Sequence, residues 1–175
     1  YTEIIAKSDF FIDCHGGDLT EDILNCVWIP VAKDEKKRRI LCDLAACFNT
    51  KYVLLDTEGE GSSTYTAFMQ LGIPSLTTEG GGAGMLEEED VRFHLDGIIN
   101  VMKYLKMLDG TPNMMKEQMI SEVHSIKAPC GGIFRTKVKL GDVVESGQTV
   151  AKIIDVFGKV VSDVKTEKSG TVLYM

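Results

Sequence analysis

The chain contains no C-x-x-C pair, no apolar run long enough to cross a bilayer, a single tryptophan and only three histidines among 175 residues. Each shortage closes off a class of protein. Five cysteines (Cys14, Cys26, Cys42, Cys47, Cys130) are an odd number without paired spacing, so neither a disulfide framework nor a zinc ribbon is expected, and a reducing compartment, the cytoplasm, suits them. With neither a spanning segment nor an opening signal pattern, no membrane is expected as partner. Positive charge is also in short supply: 19 Lys and Arg stand against 26 Asp and Glu, for a formal net charge of -7. The one basic run, "KDEKKRR" at 33–39, opens an apolar-periodic stretch and reads as a solvated helix face, so no nucleic acid is expected either. The chain opens at Tyr1 rather than a methionine, as a piece of a longer protein or a processed chain would.

What is present is an ordinary globular balance, 44% hydrophobic and 26% charged, in a chain long enough to bury a core. The first two thirds alternate between strand-like and helix-like segments. "FFID", "KYVLLD" and "IPSLTTE" are short apolar runs, each ending in an acid. Ile40, Leu44, Cys47 and Phe48 recur at helical spacing, and "TYTAFMQLG" reads as a helix stopped by Gly72 and capped by Ser62 or Ser63. Val91, Leu95, Ile98, Met102 and Leu105 are spaced 4, 3, 4, 3, which predicts a long helix burying those five residues. Glu87 to Asp90 fall in its first turn, where the helix dipole favours acids. Alternating strands and helices predict an α/β fold: an open mixed or parallel sheet with helices on its faces.

"DGTPN" at 109–113 interrupts this pattern, after which the period becomes two. "APCGGIF" and "TEKSGTVL" can be laid over one another with Gly131 on Gly170, a faint repeat that suits a small two-fold β sandwich. The repeat lacks a second copy of "LGDVVESGQTV", so the sandwich reads as incomplete. The expected organisation is an α/β domain over 1–110, a linker over 111–126 and a small all-β domain over 127–175.

The three histidines carry unequal weight. His94 lies in the long helix and His124 in the interdomain stretch, and both read as structural. His15 ends the strand "FFIDCH" and runs into Gly16 and Gly17; in open α/β sheets the carboxyl ends of strands line the ligand crevice. Asp13, two residues earlier, points to the same side and is placed to orient a ligating imidazole. Glu79 ends another strand at the same sheet edge, before three glycines, where a carboxylate can act as general base on a metal-bound water. His15 and Asp18 also have H-x-x-D spacing, an alternative ligand pair that leaves the third ligand of a zinc hydrolase unassigned.

Taken in order, "FFIDCHGGDLTED", "GIPSLTTEGGGAG", "VRFHLDGIINVMKYLKMLDG" and "IKAPCGGIFRTKVKLGDVVESGQTVAKIIDVFGKVVSDV" resemble the succinylglutamate desuccinylase/aspartoacylase family, which has the zinc carboxypeptidase-like fold. The resemblance implies a catalytic α/β domain followed by a barrel-sandwich β domain, zinc as cofactor, and a small N-acyl amino acid as substrate. It places the family's later zinc-binding histidine at His15 and its catalytic glutamate at Glu79. The family's His-x-x-Glu ligand pair and its substrate-gripping arginine match nothing here and are expected upstream of Tyr1. Three other readings stay open: a zinc carboxypeptidase acting on peptides, a scaffold that lacks the full metal site, and a carrier domain modified at Lys159, whose flanking residues differ from those of biotinyl and lipoyl carriers. A sheet missing its upstream strands is expected to be covered by self-association into a homo-oligomer.

Overall fold

A computed structural model describes residues 3–57 and 62–175. Its contacts divide the chain into two units, Tyr1–Val123 and His124–Met175. The first is α/β. Its strands are β1 (Phe11–His15), β2 (Cys26–Pro30), β3 (Tyr52–Asp56), β4 (Ser75–Glu79) and β5 (Met119–Ser121), and its helices are α1 (Glu35–Ala46), α2 (Ser63–Leu71) and α3 (Glu88–Tyr104).

The five strands form one sheet in the order β1-β4-β2-β3-β5. It is mixed: β4 runs parallel to β1 but antiparallel to β2, while β2, β3 and β5 are mutually parallel neighbours. The strand β2, "CVWIP", was not foreseen. Val27 and Ile29 are nevertheless core residues, packed with Leu41, Leu44, Val53 and Leu76.

Each helix is bounded by local chemistry. Asp34 caps α1 by accepting from the Lys37 amide at 2.8 Å, and Ser62 caps α2 by accepting from the Tyr65 amide at 3.1 Å. Gly72 ends α2 in the left-handed conformation, φ 71°, as expected of a C-terminal glycine. α2 packs against β1 and β4 on one face of the sheet. α1 and α3 share the other face, tied together by the Asn100 amide donating to the Cys47 carbonyl (3.0 Å) and the Tyr104 hydroxyl to Asp43 (3.0 Å).

Two expectations need correction. α3 exists, and Ile98 and Leu105 of the predicted stripe pack against the core, but the stripe is not its most buried side. Val91 and Leu95 are exposed, whereas Gly97, Asn100 and Val101 are buried and Phe93 and Tyr104 pack on the core. The helix has turned so that Gly97 sits directly on the Phe48 ring, with no room for a Cβ; contact between backbone and ring outweighed the longer aliphatic row. The stretch 111–126, expected as a linker, mostly belongs to the first unit. The Met115 amide bonds to the Ala46 carbonyl, and the Asn113 amide to the Asn100 side chain. β5 then pairs with β3 as an edge strand, the sheet satisfying its backbone groups.

The second unit is all β. β6 (Ile133–Thr136), β8 (Thr149–Ile154) and β9 (Val160–Lys165) form an antiparallel sheet in the order β6-β8-β9, and β7 (Val143–Val144) pairs with β10 (Gly170–Thr171). Its core is small: Val138, Val144, Val150, Ala151, Ile153 and Val164. Lys159 closes the hairpin between β8 and β9, its amide held by the Asp155 carboxylate at 2.9 Å.

Candidate active site

β1 and β4 are neighbouring parallel strands whose register sets His15 opposite Glu79 and Asp13 opposite Thr77. Period-two alternation puts all four side chains on the face that α2 covers, while Cys14 and Thr78 point to the α3 face. The structure therefore brings together both residues singled out by sequence, at one end of the sheet.

The imidazole of His15 lies between two carboxylates. Its Nε2 is 3.2 Å from Asp13 Oδ1, and its Nδ1 is 3.7 Å from Glu79 Oε1. Asp13 is itself held, because its Oδ2 accepts a hydrogen bond from Ser63 Oγ at 2.7 Å. Ser62 and Ser63 thus divide their work: the first caps α2, and the second reaches from the first turn of α2 to the site. Nε2 of His15 thus faces the Asp13 carboxylate and Nδ1 faces the Glu79 side.

Glu79 is mostly buried while His15 is half exposed. Burial pushes the Glu79 carboxyl up from its ordinary value of 4.5 to about 7; the His15 charge opposes this, and the charges of Glu21 and Asp13 add to it. Glu21 was not anticipated. It comes close because the loops after β1 and β4 are laced together: Gly17 N donates to Gly81 O (2.8 Å), Gly80 N to His15 O (3.2 Å) and Ala83 N to Glu21 O (2.8 Å). Gly82 lies against the Glu21 carbonyl so closely that any side chain would collide, which explains the glycine run as a backbone crossing.

Other candidates drop away. Asp18 is exposed and its Oδ1 accepts from the adjacent Leu19 amide at 2.7 Å, a turn contact that leaves the H-x-x-D spacing without a ligand pair. Cys26 stands opposite Glu79 across β2 and β4, but burial, and secondarily the Glu79 charge, push its thiol up to about 12, which leaves it unreactive. Part of the loop "DTEGEGSST" at 56–64, a candidate for lining the pocket at this sheet edge, lies outside the described residues. His94, read as structural from sequence, is close to the site from behind: its Nδ1 is 2.9 Å from Thr78 Oγ1. The signal that would have flagged it is the 3, 4 spacing of His94, Gly97 and Val101, which is the row the helix buries.

A catalytic zinc needs three protein ligands and an open position for water. Among the described residues, no group of three or more His, Cys, Asp or Glu side chains is arranged to hold a metal ion. The residues present fit one corner of such a site, a single imidazole oriented by a carboxylate, and no more.

A sequence model of the succinylglutamate desuccinylase/aspartoacylase catalytic domain matches residues 1–105. The chain belongs to that family. Among curated members, it is similar to an N-alpha-acetyl-L-2,4-diaminobutyric acid deacetylase of Halomonas elongata, 25% identical over 158 residues that make up 87% of this chain and 46% of the relative. Among solved structures it resembles succinylglutamate desuccinylase/aspartoacylase from Rhodobacter sphaeroides (TM-score 0.84, 24% identity, covering 98% of this chain and 54% of that one). It also resembles the product-bound ectoine utilization protein EutE (DoeB) of Ruegeria pomeroyi (TM-score 0.86, 20% identity, 98% and 54%). The chain thus spans about half the length of the family members it matches. None of its described helices is long and apolar enough to cross a membrane.

Proposed function

We propose that this chain is part of a zinc-dependent amidohydrolase that removes the acyl group from a small N-acyl amino acid. The observation that carries the reading is the pairing of His15 with Glu79 at the ends of two adjacent parallel strands. Membership of the family and the likeness to a diaminobutyric acid deacetylase support the substrate class. The small β unit is proposed to correspond to the barrel-sandwich domain that the resemblance implies.

In this reading His15 contributes one ligand through Nδ1, and the remaining ligands come from residues outside this chain. Bound zinc supplies Lewis acidity and a water acidified to near neutral pH. The chain's own residues do the rest. Asp13 and Ser63 hold the imidazole in the tautomer that frees Nδ1. Glu79, at about 7, is poised to accept a proton from a water lying in front of it and return it to the leaving amine.

The test is deacylation of N-acetyl-diaminobutyrate and of N-succinyl-glutamate, together with zinc content, in the protein extended upstream and in its Glu79→Gln variant. The reading expects about one zinc per chain in both, and a loss of turnover of about 10²- to 10⁴-fold in the variant. Unchanged turnover in Glu79→Gln, or no bound zinc in the extended protein, would overturn it and favour a scaffold.

A further inference from the structure

α3 carries a second apolar row, turned away from the core. With 3.6 residues per turn, Glu88, Val91, Leu95, Ile99 and Met102 fall on the side of the helix opposite Gly97, Asn100 and Val101, its most buried positions. Val91 is exposed, Leu95 is 50% exposed, and Ile99 and Met102 are only partly buried. Large apolar residues also flank both ends of the helix. Leu86 is 86% exposed just before it, and Met107 and Leu108 are exposed just after it. An apolar surface of this length, rimmed by charge, marks a place that another molecule covers.

The charges along the helix select the occupant. The first turn is acidic, with Glu88, Glu89 and Asp90, whereas the last turn carries Lys103 and is followed by Lys106. Arg92 is already paired with Glu88 at 3.1 Å. A helix laid along this row must therefore be basic where α3 is acidic, acidic where α3 is basic, and apolar between. α3 itself, reversed in direction, meets all three requirements. An antiparallel pair centred level with Gly97 sets Leu95 of one copy beside Ile99 of the other, Glu88 beside Lys106, and Leu86 beside Leu108. A parallel pair would set acid on acid and base on base.

We infer that a second copy of this chain covers the row, through antiparallel two-fold pairing of α3 with its counterpart. Such a contact is isologous, so every residue pair in it occurs twice. The apolar centre supplies the attraction, and the end charges, exposed and individually weak, set the direction. One helix pair makes a small interface, so association is weak, on the order of micromolar, and depends on concentration. The surface is distinct from the free edges of the sheet, and the inference does not depend on the deacylase reading.

Sedimentation equilibrium over a series of concentrations tests this, in this chain and in the protein extended upstream. Both should pass from monomer to dimer. Leu95→Glu should weaken association by at least about 10-fold and leave the urea midpoint of the dilute protein unchanged, which shows that the fold is intact. Glu88→Lys and Lys106→Glu should each weaken association, because each sets like charges at both ends of the pair. Mixing these two variants should recover it, since every end contact is then between opposite charges. A chain that stays monomeric at all concentrations, or a dimer indifferent to Leu95→Glu, would overturn the inference. A mixture no stronger than its components would overturn the antiparallel pairing. If this chain dimerises but the extended protein does not, the row belongs to the upstream segment and the inference fails.

Discussion

Glu79 is mostly buried, and as the proposed base it must also be reachable; its titration reflects that burial. In the unfolded chain it releases its proton near 4.5, and in the folded chain only near 7, chiefly because burial disfavours the carboxylate. Between these values the folded state holds more protons than the unfolded one. Stability contributed by this group is therefore complete below about 4.5 and lost as pH rises through 7. Melting temperatures of the metal-free chain should fall across that window, and Glu79→Gln should flatten the fall; parallel curves for the two proteins would contradict it. A second expectation concerns Asp13. Asp13→Asn replaces an obligate acceptor by an amide that can also donate, and should weaken zinc binding in the extended protein by about 10- to 100-fold in a chelator competition. His15, Asp13 and Glu79 were legible in the sequence because period-two alternation and strand ends fix their side and their edge. Ser63, Glu21 and His94 were not. They reach the site from a helix start, a loop crossing and the far face of the sheet, positions that depend on tertiary packing and leave no local pattern.

Among the elements, α3 shows why a correct helix can have a mistaken face. The row Val91, Leu95, Ile98, Met102, Leu105 is the more apolar, and Ile98 and Leu105 pack on the core, yet Val91 and Leu95 are exposed and the row Gly97, Val101 is the most buried. A glycine lets two elements approach more closely than any larger residue, and here Phe48 fills the gap it leaves. Gly97→Ala gains about 0.5–1 kcal/mol of helix propensity. It also forces a methyl into the ring of Phe48, which is 3% exposed and has nowhere to move, an overpacking that costs about 1–3 kcal/mol. The net expectation is a lower urea midpoint for Gly97→Ala, while Leu95→Ala, on the exposed side, should leave it almost unchanged. β2 and β5 also escaped notice. β5, with three residues, is too short to show a period, and the sheet recruits both strands through pairing with β3.

At the scale of the whole chain, two separate apolar clusters serve two compact units. Leu41 and Ile153 are almost completely buried, one in each cluster. Leu41→Ala and Ile153→Ala should each cost about 2–5 kcal/mol, and in calorimetry each should lower only the transition of its own unit; a shift of both transitions by either variant would show that the units unfold as one. The change of period falls near the border of the two units, while residues 111–123, which carry the short strand β5, are bonded to the first unit through contacts distant in sequence.

The sheet order also sets a timetable for the chain as it emerges and folds. β4 lies between β1 and β2, although β2 and β3 come before it in sequence. β1 cannot complete its place until a segment made much later slides in beside it, so the central pairing is non-local and belongs to the slow class of folding steps. His15 comes opposite Glu79 only at that insertion. Until the sheet has closed, the proposed pair of His15 and Glu79 is not assembled, so the proposed site exists only in the folded chain.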